Sequence, residues 1–91
     1  MKIEIGLYEK EFEKRFSKDD IADFLFNHLD EYGDKRVDIL KAISYALGEN
    51  QKPGGFIVLA AHDHSIIGAV VINNTLMSGY IPEHILVYIA V

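Results

Sequence analysis

Gly55-Phe56-Ile57-Val58-Leu59-Ala60-Ala61-His62-Asp63-His64-Ser65-Ile66-Ile67-Gly68-Ala69-Val70-Val71-Ile72 is the stretch that decides the fold. Two apolar runs, Phe56 to Ala61 and Ile66 to Ile72, flank the polar turn His62-Asp63-His64-Ser65. Both runs are β-branched in part and bounded by turn residues. They predict an antiparallel β-hairpin whose strands are mostly buried.

On the upstream side, Lys52-Pro53-Gly54-Gly55 cannot continue a helix. Before it the apolar period is helical. Ile39, Leu40, Ile43, Ala46 and Leu47 form one stripe, with Asp34 as the expected cap and Gly48 as the stop. An earlier stripe runs through Ile21, Phe24, Leu25, His28 and Leu29. Ser17 and Asp20 make a variant capping box for it, Phe16 and Ile21 a hydrophobic staple, and Gly33 ends it. Residues 8–16 are rich in charge, with Tyr8, Phe12 and Phe16 at helical spacing, and read as a short helical turn or irregular connection. Residues 2–7 alternate, which predicts a half-buried strand with Ile3, Ile5 and Leu7 on the inner face. Downstream, Asn73 to Glu83 is a loop holding Gly79 and Pro82, and Ile85 to Val91 is an uncharged strand. The order strand, helix, helix, strand, strand, strand implies an α+β domain, two helices on a mostly antiparallel sheet of about four strands.

Composition narrows the function classes. The 91 residues allow one domain at most. A net charge of -5 argues against nucleic acid and against anionic membrane surfaces. The chain has no cysteine, which excludes disulfides, thiolate catalysis and Cys-ligated zinc, and makes the reducing cytoplasm its natural home. No apolar run has the length of a membrane span, and Met1-Lys2-Ile3-Glu4 does not open a signal peptide.

With its element order, the run Gly55 to Ala61, a polar turn, then Ile66-Ile67-Gly68-Ala69-Val70-Val71 resembles the second and third strands of the GNAT family of N-acetyltransferases. Ile85-Leu86-Val87-Tyr88-Ile89-Ala90-Val91 is similar to that family's fourth strand. The resemblance covers residues 1–91 as a partial domain, the N-terminal half. It implies transfer of acetyl from acetyl-CoA to a primary amine, borne by a small molecule or a peptide. The family's Arg/Gln-x-x-Gly-x-Gly/Ala loop, whose backbone N–H groups cradle the coenzyme pyrophosphate, has no counterpart here. Gly54, Gly55, Gly68 and Gly79 do not follow a strand and open a helix, as a phosphate cradle requires. Tyr88-Ile89-Ala90-Val91 holds no turn, cap or polar tail, so the chain reads as a fragment, inactive alone.

The resemblance also implies site residues. Backbone N–H groups near Ile89, Ala90 and Val91 would face the acetyl and pantetheine groups. Glu83 and His84 are the nearest candidates for a base acting through water. Glu31, Tyr32 and Asp34, between the helices, are candidates for binding a cationic acceptor; a solvated loop with Asp34 as cap and Gly33 as stop is the simpler reading. Tyr88 reads as a core or interface residue and His28 as a boundary residue. His62-Asp63-His64 reads as a polar turn, since zinc takes three protein ligands in a rigid shell. Asn73-Asn74-Thr75 matches a glycosylation sequon, with nothing to indicate secretion. No Gly-x-Ser-x-Gly elbow supports a hydrolase. The competing reading is a small non-catalytic α+β module. Either way, residues 85–91 form an uncharged sheet edge that predicts a homo-oligomer.

Overall fold

The computed structural model describes residues 2–29, 35–76 and 83–91. The elements are β1 (Glu4–Leu7), α1 (Glu11–Arg15), α2 (Lys18–His28), α3 (Arg36–Ala46), a 3-10 turn (Glu49–Gln51), β2 (Gly55–His62), β3 (Ser65–Asn74) and β4 (His84–Ala90). The four strands form one sheet in the order β1-β2-β3-β4, with every neighbouring pair antiparallel. The architecture is α+β, as the sequence implies.

Each helix begins and ends for a local reason. The Ser17 hydroxyl accepts the Asp20 N–H at 3.1 Å, and the Asp20 carboxylate accepts the Ser17 N–H at 2.8 Å. This reciprocal box satisfies two N-terminal donors of α2. Phe16 and Ile21, the staple pair, are both buried. α3 starts after Lys35, which is extended and makes no side-chain cap; Asp34 and Gly33 lie outside the described residues. At its other end Gly48 adopts φ 74°, the left-handed conformation that glycine enters without a Cβ penalty.

Both helical stripes lie on the same side of the sheet. Ile21, Leu25, Ile39 and Ile43 are fully buried with Ile57, Leu59 and Val71 from the central strands. Tyr8, Phe12 and Phe16, the aromatics that flank and occupy α1, join this core. The Tyr8 hydroxyl donates to the Phe16 carbonyl at 2.6 Å, and burial together with Glu13 and Asp20 pushes its pKa up. Arg15 braces the corner. Its guanidinium sits 5.5 Å from the Phe12 ring centre and 5.3 Å from that of Phe16, pairs with Glu4 at 3.1 Å, and donates to the Asp63 carbonyl. Arg36 ties α3 to α2 through Asp19 at 2.9 Å and Asp23 at 2.7 Å.

Two expectations need correction. The strands are buried on one face only: Ile57, Leu59 and Ala61 are covered, whereas Phe56 is exposed and Val58, Ala60 and His62 are partly exposed. In β1 the apolar alternation marks the outer face instead of the inner one. Ile3, Ile5 and Leu7 are 50%, 73% and 46% exposed. The helix side of β1 carries Glu4, held by Arg15, and Gly6, over which the Phe12 ring packs so closely that an added Cβ would lie 3.3 Å from it. Phe12 occupies the space that an inward Ile or Leu would need.

At Gly55 only glycine fits, because a Cβ there would lie 2.0 Å from the Ile72 carbonyl oxygen across the hairpin. Gly55→Ala should therefore destabilise the fold by about 2 kcal/mol or more through overpacking against the backbone. Ser17→Ala should cost about 1 kcal/mol through loss of the cap. Urea unfolding of both variants, followed by helical circular dichroism, is the check.

Candidate functional site

Of the residues implied by the resemblance, His84, Ile89 and Ala90 lie on β4 and Glu83 and Val91 flank it. Among the described residues β4 pairs only with β3 and leaves its other edge open. Tyr88 opposes Val71 and Leu86 opposes Ile72, so Val87 is an extra residue in a β-bulge. A bulge bends its strand, interrupts the ladder and resets which side chains face which way. Val87 and the next residue, Tyr88, accordingly both pack against the core. Leu86 and Ile89 stand on the open face, 54% and 55% exposed.

Ile89, Ala90 and Val91 follow the bulge. Ala90 is buried opposite Ala69, and its carbonyl oxygen would lie 3.6 Å from a Cβ at Gly68. Val91 is 94% exposed. Small side chains thus keep the sheet thin here, with backbone at the open edge.

Glu83 and His84 stand at the opposite end of the same strand. Both are exposed; the Glu83 carbonyl accepts the Thr75 N–H at 2.8 Å, and the His84 ring centre lies 6.0 Å from that of Phe56. Six residues of extended chain separate His84 from Ala90, a span on the order of 20 Å. The fold does not bring these candidates together. Glu31, Tyr32 and Asp34 lie outside the described residues.

Beside Glu83 and His84 the fold gathers groups that sequence reasoning did not single out for binding. Asn74 opposes His84 and Asn73 opposes Ile85. The side-chain oxygens of both asparagines are buried and have no hydrogen-bond donor among the described residues. Such oxygens are rare enough to call for a partner. The Asn74 carbonyl is taken by the Tyr45 hydroxyl of α3 at 2.7 Å. Two amides closing an apolar strand were the available signal.

Tyr45 also lines a groove of 510 Å³ on the outer side of α3, with Val37, Leu40, Ser44, Glu49 and Lys52. Its rim includes left-handed backbone at Asn50, φ 55°. Glu49 accepts the Lys18 ammonium at 2.8 Å, and the bonds from Lys18 and Ser44 hold its carboxyl below the usual carboxylate value. At the β2–β3 turn, His62 Nε2 is 3.7 Å from Asp63 Oδ2. Among the described residues no three His, Asp or Glu side chains gather as a metal-ligand set, and no helix is long and apolar enough to cross a membrane.

A scan against protein-family models and searches of curated proteins and of solved structures find no match to this chain.

The Glu49 pairing has a sign that can be measured. A depressed carboxyl pKa contributes stability above the unfolded value and loses it as pH falls through the folded value. The Glu49 carboxyl should titrate below a model peptide's by NMR, and Lys18→Met should move it upward.

Proposed function

We propose that this chain is part of an acetyl-CoA-dependent N-acetyltransferase acting in the cytoplasm, in which β4 forms one wall of the cofactor slot. The observation that supports this reading most is the bulge at Val87, on an open sheet edge immediately before Ile89, Ala90 and Val91. A bulged edge leaves backbone N–H groups unpaired and re-aimed, as a strand that must receive a thioester requires. The reaction needs few side chains from this half. The neutral amine nitrogen attacks the thioester carbonyl carbon, the oxygen gains charge that an N–H group of the 89–91 stretch stabilises, and the carbon–sulfur bond breaks. The thiolate takes up one proton as the amide nitrogen loses another. Small Ala90 lets the acyl chain lie close to the backbone.

The acceptor would approach from the other end of β4. Glu83, exposed at that end, adds negative charge, which suits a protonated amine. At a separation on the order of 20 Å, Glu83 and His84 reach the thioester only through a chain of waters. Their role in this reading is attraction of the acceptor rather than direct removal of its proton.

The second reading is a non-catalytic module that self-associates through β4. It is favoured by the uncharged edge, in which no Lys, Asp, Glu or Pro interrupts Ile85 to Val91.

Titration of the isotope-labelled chain with acetyl-CoA separates the two. The transferase reading expects binding no tighter than millimolar, because no phosphate cradle of the glycine-loop type exists among the described residues, with amide shifts centred on Ile89, Ala90 and Val91. Shifts centred elsewhere, or none at millimolar cofactor, would count against it and leave the module.

A further inference from the structure

α3 buries one stripe and turns another outward. Ile39 and Ile43 are fully buried, whereas Val37 and Lys41 are exposed and Leu40, Ser44 and Tyr45 partly so. Positions 37, 41, 44 and 45 share one side of the helix, because residues three or four apart stand above one another. With the turn that follows α3 they line the groove of 510 Å³, a size typical of small-molecule sites.

The walls of this groove are held in place. Asn50 and Gln51 both have positive φ, 55° and 63°, and the Lys52 N–H donates to the Glu49 carbonyl at 3.1 Å. Residues with a Cβ seldom take that conformation, and here two in succession turn the chain so that Lys52 lines the same groove as α3. On the helix side the Tyr45 ring is anchored, since its hydroxyl donates to the Asn74 carbonyl at 2.7 Å.

The charge of the groove runs against that of the chain, which carries 14 Asp and Glu against 9 Lys and Arg. Its one acidic lining residue, Glu49, has both carboxylate oxygens on the Lys18 ammonium, at 2.8 and 3.0 Å. Lys41 and Lys52 line it without an ion pair among the described residues, whereas Arg15, Lys18 and Arg36 all pair with carboxylates. A cationic ligand would meet two ammonium groups here and a carboxylate already taken. An anion would meet the reverse, beside an apolar wall of Val37, Leu40 and the Tyr45 ring.

We infer that this groove binds a small amphipathic organic anion, its apolar body against Val37, Leu40 and Tyr45 and its anionic head paired with Lys41 and Lys52. The lysine stems add apolar cover while their heads stay in water. This inference does not depend on the acetyl-transfer reading, because none of these residues lies on β4.

The test is a titration of the isotope-labelled full chain, followed by amide shifts, with three probes. 2-Naphthoate carries both halves of the inferred ligand, 2-naphthamide only the apolar body, and inorganic phosphate only the charge. Naphthoate should bind with a Kd on the order of 1 mM or tighter, as expected for a ligand of its size. Its shifts should centre on Lys41, Ser44, Tyr45 and Lys52, and the other two probes should bind about fivefold more weakly or less. Lys41→Met and Lys52→Met change exposed side chains, so the fold should survive, as far-ultraviolet circular dichroism will report. Each should weaken naphthoate by about threefold and leave naphthamide unchanged, which a merely structural effect would not do. Equal binding of naphthoate and naphthamide overturns the inference. So do shifts centred on the open sheet face at Val58 and Val70, or no shifts at about 10 mM naphthoate.

Discussion

The structure depends on one row of contacts. Ile57, Leu59 and Ala61 of β2, with Ala69 and Val71 of β3, meet Ile21, Leu25, Ile39 and Ile43 of the two long helices. This layer is the only large apolar surface among the described residues that is closed on both sides, and each of its members is buried. Burying a side chain of this size contributes about 1.5–3 kcal/mol, so a few such residues set the margin of a domain this small. The hairpin supplies the sheet side of the layer, and its tightness at Gly55 keeps the two central strands in register. The helices cover it with their stripes, and α1 and β1 pack at its margin.

The corner around Arg15 shows how the periphery is attached. Tyr8, Phe12 and Phe16 extend the core under β1, and Arg15 covers the latter two rings while reaching Glu4 and the Asp63 carbonyl. One side chain thus links the first strand, the first helix and the hairpin turn. Its ion pair is partly exposed and contributes little by itself. Stacking on two buried rings adds a cation–π component that water screens less. The arrangement also gives β1 a peculiar polarity, since the aromatics occupy its inner side and push its aliphatic residues outward.

β4 is shaped by a related constraint. A strand at the edge of a one-sided sheet is committed on one flank and one face only. The bulge at Val87 uses that freedom, turning two successive side chains into the core and leaving the strand end bent at the edge. The polar end of the strand, with Asn73, Asn74, Glu83 and His84, lies far from the apolar end at Ala90. The amide oxygens of Asn73 and Asn74 have no donor among the described residues.

Local chemistry was legible from residue order alone. The Ser17–Asp20 box, the Gly48 stop, a turn within His62-Asp63-His64-Ser65 and the two stripes each arise within a few residues, where backbone sterics and short hydrogen bonds decide. The α+β class and the antiparallel order follow, because short connections join the hairpin and apolar stripes need a sheet to cover. Tertiary structure alone decided which face of each strand is covered. The alternation in β1 has a period but no direction, and only the presence of Phe12 above Gly6 turned it outward. The bulge at Val87 was equally invisible, since Leu86, Val87, Tyr88 and Ile89 are all apolar and no pattern breaks. The distance between His84 and Ala90, and the meeting of Asn74 with Tyr45, required the register of β3 against β4 and the placement of α3. Those are long-range consequences of packing, and residue type along the chain carries no measure of them.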